Sequence, residues 1–270
     1  MSGIGLMFIG REAGAFALTV SSNQTDVNLA TLATSSGWNG SSALNVTINS
    51  GVYISSTSTA TPALTVNGSF PGGVTLVNNG TIVGRGGAGG ASQGCGPPLT
   101  TGNNNPGQPG GTGGLALSVS SAISITNNGT IAGGGGGGGG GASCGAYYVQ
   151  GGGGGGGQSS FSTNSTAGPI GPWTGGPYGG LVGNAGNAGT YSAAGTGGAG
   201  RNITCCGTYF YSGSGGTGGS WGASGSAGGD AFYYVNVPPV YGAGGSAGGA
   251  VTGNSNITWV ATGTRYGSIT

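Results

Sequence analysis

Glycine recurs at every third position of this chain in a series of short blocks. These blocks are 84–90, 107–113, 180–189, 195–198, 213–228 and 242–248. Two runs of glycine alone lie between them, at 133–141 and 151–157. A period of three belongs to neither the α-helix nor the β-strand. It is the period of the left-handed polyproline II helix, which has three residues per turn.

Such a helix makes no hydrogen bonds within itself, so its N–H and C=O groups must find partners on neighbouring segments. A glycine at every third position leaves one edge of the helix without side chains, and a run of glycine alone leaves all three edges bare. We therefore expect a bundle of polyglycine-II helices held by N–H···O and weaker Cα–H···O bonds. The pure runs 133–141 and 151–157 belong inside it, and the mixed blocks outside.

Collagen and intrinsic disorder, which are also common in glycine-rich chains, fit this sequence less well. Collagen requires long unbroken triplets that are rich in proline, whereas the blocks here are short and only 11 of the 270 residues are proline. Disordered chains usually carry high net charge and few aromatic residues. This chain has 8% aromatic residues, 3% charged residues and a net charge of +1.

A second pattern is an internal repeat that leads into the glycine segments. The stretch VTLVNNGTIVG at 74–84 matches ISITNNGTIAG at 123–133, and weaker relatives occupy 44–54 and 250–264. Alternating apolar and polar residues broken by Asn-Gly are typical of strand, turn, strand, and repeats with one apolar face usually stack. The stretch 17–83 is then a small sandwich or a few solenoid coils.

The predicted fold is therefore all-β plus polyglycine-II, with essentially no α-helix, since glycine and β-branched residues disfavour helix. Residues 1–83 form a β-rich region for attachment and stacking. Residues 84–250 form the glycine-rich lattice, with a return to strands at 115–132, and 251–270 return to the β stack. The stretch 3–16 is either a docking segment or the first strand.

The scarcity of charged residues excludes several functions. The chain has no histidine and no lysine, and its acidic residues are Glu12, Asp26 and Asp230. Acid–base or nucleophilic catalysis lacks its usual groups, so we predict no enzyme, no catalytic residue, no metal site and no cofactor. Four scattered arginines make no basic patch for nucleic acid. We also expect no signal peptide and no membrane insertion, because no long apolar stretch occurs.

The four cysteines are candidates for disulfides. Cys95 follows Thr81 by the same distance as Cys144 follows Thr130, since 95 − 81 = 14 and 144 − 130 = 14. Side-by-side repeats would bring these two cysteines together. The adjacent Cys205 and Cys206 close on each other, or one of them pairs elsewhere. Four free buried thiols are the alternative.

Aromatic residues cluster between the glycine blocks, including a loop that begins at Phe161. Tyr and Trp among Gly, Ser and Asn are typical of binding loops, where rigid rings give contact area at little entropic cost. Alternatively, the rings cap the lattice and bury one another. The predicted contact residues are Tyr147, Tyr148, Trp173, Tyr178, Tyr209, Phe210, Tyr211, Phe232, Tyr233, Tyr234 and Tyr241.

Glycine blocks of period three that alternate with aromatic loops resemble the receptor-recognising tail-tip adhesins of T-even-type bacteriophages. The segments GGVTLVNNGTIVGRGGAGGAS and ISITNNGTIAGGGGGGGGGAS are similar to the junctions between strands and glycine segments in those proteins. The resemblance covers residues 62–250, and the residues before 62 do not resemble that family's attachment domain. It implies a polyglycine-II lattice whose end loops contact outer-membrane proteins or surface glycans.

The resemblance thus implies a tail-tip or fibre adhesin that is made in the host cytoplasm and released in the virion. Its expected partners are a host surface protein or glycan and, through the N-terminal region, other phage tail proteins. The chain is compatible with a homotrimer or with one copy on a trimeric fibre. The alternatives are a structural virion component that binds no receptor, an ice-binding protein and a glycine-rich wall protein.

Overall fold

Three parallel β-sheets surround a common core in the computed structural model, which describes residues 14–93, 104–144, 149–171, 181–205, 208–231 and 241–270. The first sheet contains, in spatial order, β1 (Phe16–Val20), β4 (Leu44–Ile48), β7 (Val74–Asn78), β11 (Ile123–Asn127) and β17 (Ile257–Ala261). The second contains β2 (Gln24–Thr25), β5 (Tyr53–Ser55), β8 (Thr81–Val83), β12 (Thr130–Ala132) and β18 (Thr264–Tyr266). The third contains β3 (Val27–Asn28), β6 (Leu64–Val66), β10 (Leu117–Val119) and β16 (Val251–Thr252).

The chain visits the three sheets in turn and then starts the next coil, which makes this region a β-solenoid rather than a sandwich. Strands of successive coils pair in parallel, as Val46 with Leu76 and Ile125 with Leu76 show. Inward side chains of each sheet stack into apolar columns, as the period of two requires. Fully buried examples are Leu44, Leu64, Leu76, Ile82, Leu117, Ile125 and Ile131. The predicted all-β architecture is confirmed.

The two close copies of the repeat lie side by side in register. Thr81 pairs with Thr130, and Val83 pairs with Ala132. The Asn-Gly turn in each copy is a corner at which the chain passes from the first sheet to the second. There the buried Asn78 donates a hydrogen bond from Nδ2 to Oδ1 of Asn127, at 2.8 Å, so the amides stack as the strands do.

One short helix, α1 (Leu29–Ser35), is an addition to the predicted fold. The side chain of Asn28 accepts a hydrogen bond from the backbone N–H of Thr31 at 3.1 Å and so caps the helix. Leu29 and Ala33 lie one turn apart and are both buried. A seven-residue segment is too short for a clear periodic pattern in the sequence, and its stability comes from this cap and from packing.

The glycine segments are two excursions from the solenoid, and both leave between the second and third sheets. The first leaves after β8 and returns at β10. The second leaves after β12 and returns at β16. Both excursions therefore begin on neighbouring coils, so their segments start and finish next to each other.

Hydrogen bonds in the glycine region follow the predicted period of three. The N–H groups of Gly134, Gly137 and Gly140 donate at 2.8–2.9 Å to carbonyls of one neighbouring segment, 107–114. The N–H groups of the residues between them donate to carbonyls of two other segments. Three further segments donate their own N–H groups to carbonyls of the run 133–141. In the described chain, the six neighbours of 133–141 are therefore 84–90, 107–114, 151–158, 213–222, 223–229 and 242–248. This is the pattern expected of polyglycine-II helices, and we call the region the lattice.

The two pure glycine runs lie inside the lattice, as predicted, and all their residues are buried. A Cβ atom on any glycine of 133–141 would lie under 3.0 Å from a backbone atom of a neighbouring segment. None of these glycines has a positive φ. They are required for space and not for conformational freedom, which separates them from turn glycines.

Candidate functional site

The lattice has two ends, and its hydrogen bonds show which end each connection occupies. Gly133 directly follows β12 and donates its N–H to the Tyr266 carbonyl of β18 at 2.9 Å. We call this end, which adjoins the solenoid, the near end. At the other end of the run, the N–H of Gly141 donates to the carbonyl of Gly152 at 2.8 Å. We call that end the far end.

The described segments that flank five connections of the chain finish at the far end. Gly213 donates its N–H to the Ala142 carbonyl at 2.9 Å, and Gly242 donates its N–H to the Gly140 carbonyl at 2.9 Å. Gln150 donates its backbone N–H to the Leu181 carbonyl at 3.1 Å. We name these five connections, after the position of their flanking segments, the far-end connections: 93–107, 142–150, 171–181, 201–212 and 231–241.

All the predicted contact residues belong to these far-end connections. Those that lie outside the described residues are Tyr147, Tyr148, Trp173, Tyr178, Phe232, Tyr233 and Tyr234. The described segments that flank each of them finish at the far end. The described candidates are Tyr209, Phe210, Tyr211 and Tyr241.

The connection 201–212 is a β-hairpin that places aromatic rings on two faces. It consists of β14 (Asn202–Cys205) and β15 (Thr208–Tyr211), which pair antiparallel. Successive side chains of a strand point to opposite faces. Tyr209 is accordingly 71% exposed and Tyr211 41% exposed, whereas Phe210 between them is buried. Phe210 therefore anchors the hairpin, and its predicted role in contact stays a prediction.

A hydrogen-bond network fixes the base of this hairpin to the lattice. Arg201 donates its backbone N–H to the Ser212 hydroxyl at 2.8 Å, and that hydroxyl donates to the Gln150 carbonyl at 2.7 Å. The Arg201 guanidinium donates from Nε to the Val182 carbonyl at 3.1 Å. The base of the hairpin is thereby bonded to the connection 142–150 and to the segment that begins after 181, so the exposed tyrosines stand on a base fixed by hydrogen bonds.

The described part of the far end is mixed in polarity and carries the exposed Arg201. Leu181, Val182 and Tyr241, at the ends of the flanking segments, are between 36% and 42% exposed. Among the described residues, no group of three His, Cys, Asp or Glu side chains comes together as a metal site requires. Rigid rings beside small polar residues are suited to recognition of a surface by contact area and adaptable hydrogen bonds.

Comparison with known proteins assigns the chain to a family. The family model described as "Phage tail fibre adhesin Gp38" matches residues 15–270. The chain belongs to this family. Among solved structures, the gp37–gp38 adhesin tip complex of the bacteriophage S16 long tail fibre is similar, with a TM-score of 0.58 and 24% identity. The match covers 94% of this chain and 82% of the other. No curated protein sequence matches.

The family match extends the resemblance seen in the sequence. The sequence alone limited it to residues 62–250, but the adhesin family model begins at residue 15, at the start of the first coil. The sequence predicted β structure for the early coils but no likeness to the family, because short alternating strands such as β1 keep only their apolar pattern from one coil to the next. The protein is thus a phage tail fibre adhesin over the whole described chain.

The predicted disulfides of the adhesin stay predictions. Cys95 and Cys206 lie outside the described residues. The backbone of Cys144 lies in β13 (Ser143–Cys144), which pairs antiparallel with β9 (Asn104–Asn105) at the far end. Cys205 ends strand β14. Cysteines 144 and 205 therefore belong to far-end connections. No helix in the described ranges has the length and apolar character needed to cross a membrane.

A second aromatic cluster occupies the near end and was missed in the sequence. Tyr53 of β5 stacks on Phe161 with ring centroids 4.5 Å apart. Tyr191 contacts both of them edge-on, and Trp221 lies 5.0 Å from Tyr191. These rings join three near-end turns of the lattice to the solenoid. Phe161, which the sequence placed among the binding loops, therefore lies at the opposite end from the predicted contact residues.

The near-end cluster makes stability sensitive to alkaline pH. Burial, then the hydrogen bond from the Tyr191 hydroxyl to that of Tyr53 at 3.1 Å, raise the pKa of Tyr191 from 10.0 to about 12. The folded protein thus holds this proton more tightly than the unfolded chain. The contribution to stability is complete below pH 10.0 and is lost as the pH rises towards 12.

Melting temperatures measured across this alkaline range check the effect. Tyr191→Phe removes the titrating group, so we expect its melting temperature to fall less steeply with pH than that of the wild type. Tyr53→Phe removes the hydrogen bond but keeps most of the burial of Tyr191. The fall of its melting temperature with pH should therefore be less steep than in the wild type and steeper than in Tyr191→Phe. An unchanged slope in Tyr191→Phe contradicts the assignment.

Proposed function

We propose that this adhesin is a non-enzymatic, receptor-binding tip of a phage tail fibre. The far end of the lattice binds a host surface protein or glycan. The solenoid, with the N-terminal region, mounts the protein on other tail proteins. One observation carries the proposal: the segments that flank the predicted contact residues finish at the end of the lattice away from the solenoid, where the described Tyr209, Tyr211 and Tyr241 are exposed.

The arrangement suits a tip because each part has a separate task. The lattice is held by regular backbone hydrogen bonds, so it does not depend on the identity of the far-end residues. Connections on such a scaffold can differ in sequence without a change in the core. The gp38 neighbour was solved in complex with gp37 of its long tail fibre, which supports mounting on a fibre protein here.

The experiment is binding of the fluorescently labelled full-length chain to the bacterium on which the phage grows. We expect saturable binding to whole cells and competition with adsorption of the phage. Binding abolished by protease treatment of the cells indicates a protein receptor, and binding abolished by periodate indicates a glycan. A folded chain that neither binds cells nor competes overturns the proposal and favours a structural component of the tail.

A further inference from the structure

A cavity of about 350 Å³ lies on the flank of the near end, away from the far-end connections. Gln158, Ser220, Trp221 and Tyr266 line it. Tyr266 belongs to β18 of the last solenoid coil, whereas the other residues belong to turns of the lattice. Its size falls in the lower range of small-molecule sites.

The lattice holds the Trp221 ring and the backbone of Tyr266 in place. Gly133 donates its backbone N–H to the Tyr266 carbonyl at 2.9 Å and accepts from the N–H of Gly222, next to Trp221, at 2.9 Å. The indole Nε1–H of Trp221 donates to the Ser159 carbonyl at 3.0 Å. The indole does not have to be ordered when a ligand binds, which lowers the entropic cost of binding.

The polar groups are also placed in advance. Gln158 accepts the backbone N–H of Trp221 at 3.2 Å and donates from Nε2 to the Tyr191 carbonyl at 2.7 Å. Each end of this amide keeps capacity for one more hydrogen bond. In the described part of the chain, the hydroxyls of Ser220 and Tyr266 have no hydrogen-bond partner, and Tyr266 is 47% exposed.

We propose that this cavity binds a neutral saccharide. The face of a pyranose ring presents C–H groups that pack on an aromatic face, which carries negative charge density. Its hydroxyls both donate and accept hydrogen bonds, as the amide and the two hydroxyls here require. None of the described residues that line the cavity is charged, so the chemistry favours an uncharged sugar. The site is separate from the far end and does not depend on its receptor.

The test is ¹⁹F NMR of the full-length chain labelled with 5-fluorotryptophan. The chain has four tryptophans, Trp38, Trp173, Trp221 and Trp259, whose resonances single Trp→Phe variants assign. The probes are maltotriose, diacetylchitobiose and melibiose, with glycerol as a polyol that has no ring. We expect a saturable shift of the Trp221 resonance with at least one saccharide and none with glycerol.

Two variants keep the result interpretable. Tyr266→Ala should weaken saccharide affinity by about three- to tenfold, while the Trp38 resonance, which reports the solenoid core, stays in place. Tyr211→Ala, at the far end, should leave the Trp221 titration unchanged even where it abolishes cell binding. No saturable Trp221 shift with any of the three saccharides overturns the proposal, and so does a titration that Tyr266→Ala leaves unaltered.

Discussion

Gly136→Ala is expected to prevent the adhesin from reaching its folded state at ordinary temperatures. A Cβ atom at Gly136 would lie well under 3.0 Å from the Gly245 carbonyl oxygen, which belongs to the backbone and cannot rotate away. The neighbouring segment must shift, and its other hydrogen bonds shift with it. We expect a loss of about 3 kcal/mol or more, and Gly136→Val should give no soluble folded protein. Thermal unfolding and soluble yield measure both effects.

Gly229→Ala is the matched control on the outside of the same lattice. A Cβ atom there would lie 3.2 Å from its nearest neighbour, the backbone nitrogen of Ser214. That approach needs only a small shift. The lower entropy of an alanine in the unfolded chain works in the opposite direction. We expect a change within about 1 kcal/mol. Equal melting temperatures for Gly136→Ala and Gly229→Ala would contradict a space-limited lattice.

The sequence predicts which glycine segments lie inside the lattice, but not which segments are neighbours. A run such as 133–141 has no side chain on any edge, and an interior position follows from that alone. A mixed block shows only that one of its edges is bare. Its partner on that edge is decided by where the chain leaves the solenoid. The six neighbours of 133–141 therefore emerge only from the folded structure.

The solenoid shows the same division between local and tertiary information. The match between 74–84 and 123–133 predicts their stacking, and the pairing of Thr81 with Thr130 confirms it. The first two coils have no equally close match in the sequence, because only inward positions such as Leu18 and Val46 must stay apolar. Helix α1 depends on one cap and two buried side chains, too little to produce a periodic pattern.

Residue composition does not determine at which end of the lattice an aromatic loop of the candidate site lies. Phe161 and Tyr209 occur in similar surroundings of Ser, Thr and Gly, and the sequence treats them alike. Hydrogen-bond register separates them, since 158–165 turns at the near end and 201–212 at the far end. Phe161 instead stacks on Tyr53 of the solenoid. Aromatic loops can be found from sequence, but the end of the lattice that they occupy cannot.

Tyr209→Ala and Tyr211→Ala should each leave folding intact and reduce adsorption of phage to host cells. Both rings are more than 40% exposed at the far end, so their removal opens no cavity. Their hairpin keeps Phe210 as its buried anchor. If these rings contact the receptor, truncation should weaken binding about tenfold or more, because tyrosines are common among the dominant residues of interfaces. The measurement is the adsorption rate of particles that carry each variant.

Phe161→Ala is the control that separates recognition from packing. Phe161 is also an exposed aromatic residue, at 51%, but it lies at the near end. Its loss should lower the melting temperature, because it removes the stack on Tyr53, yet adsorption by folded particles should stay at the wild-type rate. Unchanged adsorption in both tyrosine variants would remove the described hairpin from the receptor contact. Equal losses from Phe161→Ala and Tyr209→Ala would mean that stability, and not contact, limits adsorption. Only a loss confined to the far end supports the assigned direction of the lattice.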